Sequence, residues 1–219
     1  GLLDDFMGPG NPWGVVFDNW GQSLVVDGAG GISYLTPASI PAKRRLRLDR
    51  IGNPGGYCGV EMINGRNMPK SMRGHFVIND FKSNTVKRFS LQPNGSGFKL
   101  DWKDAILKSN HRKFRPVDIR MGPDGGIYIA DFYNNVICHQ DDYFRDPTRD
   151  LHHGRIWRVT YKNNPILPKP TFSKASSSQL LNMLKAPERW TRQQAKFELI
   201  KRKGIEIQKI AENWVSQIN

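Results

Sequence analysis

The stretch FRPVDIRMGPDGGIYIADFYNNVICH, Phe114 to His139, decides the fold of this chain. It holds two runs, PVDIRM and GGIYIAD, built largely of β-branched, aromatic and other apolar residues, the composition of strands. Between them Gly122-Pro123-Asp124-Gly125-Gly126 is a tight-turn sequence, a better match to a turn than to a calcium or phosphate loop. The second run ends in Asp131, whose carboxylate can accept turn amides, and Asn134 and Asn135 follow to supply positive φ before another strand.

The same pattern occurs three times: SLVVDGAGGI around Asp27, HFVINDFKSNTV around Asp80 and IYIADFYNNVI around Asp131. These aspartates stand 53 and 51 residues apart, the length of a four-stranded propeller blade with generous loops. Gly30-Gly31 and Asn84 take the place of Asn134-Asn135 in the first two copies. Upstream, Pro12-Trp13-Gly14-Val15 matches Pro116-Val117-Asp118-Ile119 at an offset of 104. Asp27, Asp80 and Asp131 are therefore read as structural turn residues ahead of any ligand or catalytic role.

Three blades follow, with strands near 13–17, 23–27, 32–35 and 43–49; 58–63, 74–79, 84–91 and 97–102; and 115–121, 126–131, 135–140 and 154–161. A closed propeller needs about four blades or more, so three copies predict a fragment of a larger propeller. The opening GLLDDFMGPG has neither an initiator Met nor a basic segment leading an apolar one, and reads as the inside of a longer chain.

After Lys162 the character changes. Pro165, Pro168 and Pro170 mark an extended linker, and helical patterning begins at Ser176-Ser177-Ser178. Helices are predicted over 177–185, 191–203 and 205–217, with Thr191 as an N-cap and Gln194 completing a capping box. The expected domains are 1–162 for the blades, 163–176 for the linker and 177–219 for the helices. Such short helices cannot bury their apolar faces alone and resemble the first units of an α-solenoid. The stripe Leu180, Leu184, Leu199 and Trp214 reads as packing surface.

The composition, 38% hydrophobic and 24% charged over 219 residues, is that of an ordinary globular chain. No run of about 18 apolar residues is present to span a bilayer as a helix. The net charge is +13, and the eleven Lys and Arg against four Glu from Lys162 onward give +7 of it. A polyanion partner is the usual implication of such a charge. The chain lacks a helix-turn-helix, zinc-finger or aromatic RNA-binding motif, so the basic segments, including KRRLRLDR from Lys43 to Arg50, read as solvated faces and nucleic acid is not expected. Two cysteines, Cys58 and Cys138, make neither a zinc ribbon nor a disulfide framework. Covalent haem needs two thiols and a histidine in C-x-x-C-H, and Asn135-Val136-Ile137-Cys138-His139 lacks the first thiol.

Four runs carry a family resemblance: GNPWGVVFDNWGQSLVVDGAGG, GRNMPKSMRGHFVINDF, FRPVDIRMGPDGGIYIADFYNNVICH and RDPTRDLHHGRIWRVTY. They resemble the C-terminal half of the propeller in bacterial membrane-bound dehydrogenases, the PVC-type haem-binding domain proteins, which are related to glucose and sorbosone dehydrogenases. RWTRQQAKFELIKRKG from Arg189 is similar to the HEAT-type repeat that follows that propeller. The resemblance covers about Asn11 to Tyr161. It implies a periplasmic or exported propeller acting as a quinone-type sugar or alcohol dehydrogenase, with pyrroloquinoline quinone as cofactor and a cytochrome c domain, absent from this sequence, as electron acceptor. The chain departs from the pattern in lacking the first blades and the haem domain, and in having Cys138 where relatives usually carry Gly.

For such chemistry His139 is the expected base, at the end of a predicted strand and able to titrate near neutral pH. Arg115 and Asp118, entering the same blade, are candidates to line the channel, Arg115 for a quinone carboxylate, with an inter-blade ion pair as the favoured alternative. Arg145 and Arg149 are candidate substrate or cofactor contacts, although Arg and Asp in RDPTRDLHHGR can equally lock a surface loop. A metal site at Asp146, Asp150, His152 and His153 is disfavoured because adjacent histidines rarely face one ion. The alternative function is a non-catalytic propeller that binds carbohydrate or protein on its open face.

Overall fold

In the computed structural model, the described residues are 11–28, 31–35, 46–47, 56–95, 97–137, 145–202 and 204–218. They form three small antiparallel sheets and three short helices in two compact units. One unit comprises 1–63, 74–120 and 127–159, and the other 64–73, 121–126 and 160–219.

In the first unit, sheet 1 holds β1 (Pro12–Phe17), β2 (Ser23–Asp27), β3 (Gly31–Leu35) and β4 (Leu46–Arg47) in sequential order. Sheet 2 holds β5 (Tyr57–Met62), β6 (Phe76–Asp80), β7 (Thr85–Asn94) and β8 (Gly97–Lys108), again in order. Sheet 3 holds β9 (Pro116–Met121), β10 (Ile127–Asp131) and β11 (Arg155–Val159). The central strands SLVVD and FVIND are apolar and buried because both of their faces are covered. A shared core joins sheets 1 and 2 through Val16, Leu24, Ile32, Val60, Phe76 and Phe89.

The Asp-ended strands are built alike. The N–H after each aspartate donates to the carbonyl just ahead of the first strand of its sheet: Gly28 to Asn11 at 2.9 Å, Phe81 to Gly56 at 3.0 Å and Phe132 to Arg115 at 2.9 Å. Asp80 Oδ1 accepts from the N–H groups of Lys82 and Ser83, and Asp131 Oδ1 from those of Arg115 and Tyr133. Asn84 holds φ at +55°, as its turn position predicts. In the third copy the positive φ, +50°, falls on Tyr133 rather than on Asn134 or Asn135.

First strands stand side by side from sheet to sheet. A Cβ on Gly14 would lie 3.4 Å from Gly59 N, and one on Gly59 would lie 2.8 Å from Asp118 Cα. Gly59 has φ +34° at an irregularity in the β5–β6 register, between Cys58 and Val60. A matching irregularity falls between Pro12 and Gly14 in β1. Tyr57-Cys58-Gly59-Val60 is thus the second-sheet counterpart of Pro12-Trp13-Gly14-Val15, a match that sequence alone did not expose. Cys58 is buried, its thiol donating to Pro116 O at 3.4 Å. Burial, then the charges of Asp118 and Asp80, push that thiol up to about 12, so it stays protonated.

Two departures from the strand pattern have physical causes. Residues 135–137 form no strand, and the rest of the strand expected at 135–140 lies outside the described residues. β11 pairs directly with β10, Asp131 opposite Arg155, so Arg155–Val159 takes the third place in its sheet instead of the fourth. β8 runs to Lys108, well past the expected 102, because it pairs along the whole of β7 although its Lys and Asp residues blur the alternation.

His75, just before β6, accepts from Arg88 Nη1 through Nδ1 at 2.8 Å. That bond requires the neutral ring. Burial, and then the Arg88 and Lys103 charges, lower its pKa against the opposing pull of Asp101. A histidine harder to protonate when folded stabilises the fold fully above its unfolded pKa of about 6.5, and that stability falls as pH drops below it. The urea midpoint of the protein is therefore expected to decline below pH 6.5, and the His75→Gln variant to decline less; equal slopes would reject the assignment.

In the second unit, Gly122-Pro123-Asp124-Gly125-Gly126 makes the expected tight turn: Gly122 N–H donates to Gly126 O at 2.8 Å, and Asp124 Oδ1 accepts Gly126 N–H at 3.0 Å. The helices are α1 (Ser177–Met183), α2 (Arg189–Lys201) and α3 (Ile205–Ser216). The capping box is at Ser176 and Gln179, with both reciprocal bonds present, and not at Thr191 and Gln194. α2 starts earlier than expected, capped at Glu188, and Thr191 is buried inside it. The reason is tertiary: buried Glu188 accepts Arg66 N–H, Nε and Nη2 at 2.9, 2.9 and 3.0 Å, which fixes the chain at that residue. Asn67, also buried, clamps the segment after β11, accepting Tyr161 N–H at 2.9 Å and donating to the carbonyls of Asn164 and Pro165. No helix among the described residues is long and apolar enough to cross a membrane.

Candidate functional site

The polar residues of sheet 3 gather at the rim where β10 leaves and β11 returns. Two turns are tied there by Asn134, whose Nδ2 donates to Asp150 O at 3.0 Å. Asp150 then organises the loop. Its Oδ1 accepts the N–H groups of His152 and His153, both at 3.1 Å, and His153 Nδ1 at 2.8 Å. Its Oδ2 pairs with Lys113 Nζ at 3.2 Å. The His153 hydrogen bond, the His152 amide and Lys113 together hold the Asp150 carboxyl well below the usual carboxylate range, against some desolvation.

This pairing fixes the chemistry of His153. A carboxylate can only accept, so Nδ1 carries the proton toward Asp150, and in the neutral ring the lone pair is then on Nε2. The side chain of Asp150 is 10% exposed and that of His153 is 69% exposed, so the carboxylate is sheltered while the imidazole opens to solvent. An oriented imidazole with an exposed Nε2 is a competent proton acceptor.

Tyr133 forms the floor beside this pair. Its ring stacks on His111 at 5.8 Å and meets the His153 ring edge-on at 6.2 Å. The Arg155 guanidinium lies 3.6 Å from its centroid, and Lys113 Nζ lies 4.9 Å from it. Arg155 also stands 5.7 Å from the Trp157 ring, which is anchored by Nε1–H donating to Asp131 Oδ2 at 3.0 Å. A tyrosine at φ +50° is strained by about 1 to 2 kcal/mol relative to a glycine, and the surrounding bonds hold it there.

The sequence-predicted residues fall in several places. His139 lies outside the described residues. Arg115 is wrapped by backbone: Nε donates to Asn134 O at 3.0 Å, Nη1 to Phe81 O at 2.9 Å and Nη2 to Asn135 O at 2.9 Å. The Phe81 bond joins sheet 3 to sheet 2. The equivalent link from sheet 2 to sheet 1 is backbone, Tyr57 N–H to Gly28 O at 3.3 Å. Position 116 is proline and has no N–H, so the neighbouring arginine side chain supplies the donor. Asp118 pairs with Arg120 Nη2 at 3.3 Å and accepts the Ile119 N–H at 2.9 Å. Arg145 is exposed, and Arg149 N–H closes a turn on Asp146 O at 3.1 Å. Asp146 Oδ1 accepts the Thr148 N–H and hydroxyl at 2.8 and 2.7 Å, locking the loop around Pro147.

Sequence reasoning passed over Lys113, Tyr133 and the pairing of His153 with Asp150. The dyad's i, i+3 spacing was legible; Lys113 comes from 37 residues upstream and had no local signal.

A family model described as a domain of unknown function, DUF7133, matches residues 30–163. No curated protein matches the chain. Among solved structures, the chain is similar to the apo form of a soluble aldose sugar dehydrogenase from Escherichia coli, at 20% identity over 55% of this chain and 41% of that one, with a TM-score of 0.44. It is similar to a glucose dehydrogenase at 20% identity over 68% of this chain and 40% of that one, TM-score 0.48. It is also similar to the PQQ-bound aldose sugar dehydrogenase from Streptomyces coelicolor, at 16% identity over 73% and 50%, TM-score 0.43. The chain spans half or less of the length of each of these structures.

Proposed function

We propose that this chain, which belongs to the DUF7133 family, is the propeller portion of a quinone-type sugar or alcohol dehydrogenase. In this reading the three sheets are blades, the helices after Ser176 begin a HEAT-like array, the protein is exported, and a cytochrome domain outside this sequence takes the electrons. The observation that carries it is the His153–Asp150 pair, an imidazole oriented by a sheltered carboxylate at the rim of a sheet.

The residues at this rim fit a carboxylate-bearing quinone in donor chemistry. Lys113 gives one bond to Asp150 and stands over the edge of an aromatic platform, so its remaining N–H donors would hold one carboxylate. Such a quinone, when bound, supplies acceptance of two electrons as a hydride from the substrate carbon. The protein's part is proton handling: His153 Nε2 takes the proton of the substrate hydroxyl, and Asp150 stabilises the imidazolium that results. Arg115, with three of its nitrogens committed to carbonyls, serves the seam between sheets here rather than a ligand. His139 remains a second candidate base.

The test is quinone titration of the full-length protein followed by dye-linked oxidation of aldoses and alcohols, with His153→Ala and His139→Ala in parallel. His153→Ala is expected to lose turnover by about 100-fold or more with quinone binding intact. Full turnover in His153→Ala with loss in His139→Ala would move the base to His139. Absence of quinone binding by a folded protein would favour the non-catalytic carbohydrate-binding propeller, the reading that Arg115's commitment to backbone carbonyls supports.

A further inference from the structure

Several cations among the described residues of the first unit are held by oxygen acceptors. Lys87 pairs with Asp80 at 2.8 Å, Lys113 with Asp150, Arg120 with Asp118, and Arg115 has its carbonyls. Arg155 is half-buried and held against two aromatic rings, yet it has no carboxylate or carbonyl acceptor among the described residues. The Tyr133 ring at 3.6 Å, with Trp157 beside it, covers a face of the guanidinium, while its N–H groups, the part that makes strong directional bonds, have no acceptor among the described residues. Tyr133 contributes from below: its strained backbone keeps a ring under that guanidinium where glycine or asparagine would relax the turn.

We propose that Arg155 is a specificity residue that receives a carboxylate carried by the saccharide ligand, so that the preferred substrate class is an acidic sugar rather than a neutral one. The proposal rests on the reading of this rim as the sugar site. A planar guanidinium matches a carboxylate through two parallel N–H···O bonds, a geometry that a free lysine does not impose. Lys113 flanks the same ring, and its charge balances that of Asp150, so an anion arriving at Arg155 meets no net negative charge from that pair. The same edge would hold the carboxylate of a uronate while leaving its anomeric hydroxyl free to reach His153.

The experiment is calorimetric binding of D-glucuronate and of D-glucose to the full-length protein without any electron acceptor, for the natural sequence, Arg155→Gln and Arg155→Lys. Glucuronate is expected to bind at least about tenfold more tightly than glucose, in the range of one bidentate charged contact. Arg155→Gln should erase that preference, its loss for glucuronate exceeding any loss for glucose by about tenfold. Arg155→Lys should keep part of it, because charge survives and the fork does not, and its retained glucose binding reports an intact rim. Equal affinity for the two sugars, binding of neither, or an equal loss of both in Arg155→Gln would overturn the proposal. Turnover is not read, so a glucuronate preference in a protein that oxidises nothing would reject the dehydrogenase and leave the acidic-sugar site standing.

Discussion

Alanine at Gly59 is expected to destabilise the protein by about 3 to 5 kcal/mol, the sum of a positive-φ cost and an overpacking cost. The φ of +34° is unfavourable to any side chain, and the added Cβ would meet Asp118 Cα at 2.8 Å and Val117 O and Asn79 Nδ2 at 3.0 Å. Two of those three atoms are backbone of the neighbouring sheet, so relief requires β5 and β9 to separate. Gly21 is the control. It has φ +83° but nothing within 4 Å of its missing Cβ, and Gly21→Ala should cost only the conformational part, about 1 to 2 kcal/mol. Urea unfolding of both variants decides the matter, since equal losses would mean that close approach of the sheets contributes nothing at Gly59.

Removal of the Arg115 side chain should cost about 3 kcal/mol. Arg115→Ala strands the carbonyls of Phe81, Asn134 and Asn135, each of which now accepts a charge-assisted bond at 2.9 to 3.0 Å. Arg115→Lys should recover little, because one ammonium cannot reach three carbonyls splayed around a planar fork. A sharper check comes from the residue beside it. In the Arg115→Ala background, Pro116→Ala restores an N–H where Tyr57 has one in sheet 2, and should return about 1 kcal/mol through the Phe81 carbonyl. No recovery in the double variant would break the equivalence between the two seams.

The sheets were legible because their signal is local. A run such as FVIND announces a buried strand, and the aspartate ending it sits in sequence next to the amides it accepts. Asn84 shows the same economy, with positive φ at the residue type that tolerates it. Tyr133 shows the limit: nothing in a tyrosine foretells φ +50°, and the rings and cations that hold it come from 111, 113, 153 and 155. Glu188 misled the helix boundary for a related reason, since its partner Arg66 lies 122 residues away and outweighs the capping preference of Thr191. Among the site residues, Arg115 and Asp118 were placed on the correct strand entry, but proximity in sequence could not reveal which acceptors would claim them. His153 and Asp150 were legible as members of a charged loop and of a disfavoured metal cluster, while the Lys113 contact to the other carboxylate oxygen has no signal in the sequence.

The two seams between sheets differ in how they are encoded. The first uses a main-chain donor at position 57, which nineteen of the twenty amino acids provide, so the bond itself does not depend on the side chain there. The second depends on one side chain at position 115, because proline occupies the place of the main-chain donor. Replacements at position 57 other than proline can disturb the core around Tyr57 but leave this joint in place, whereas any replacement of Arg115 removes the joint itself.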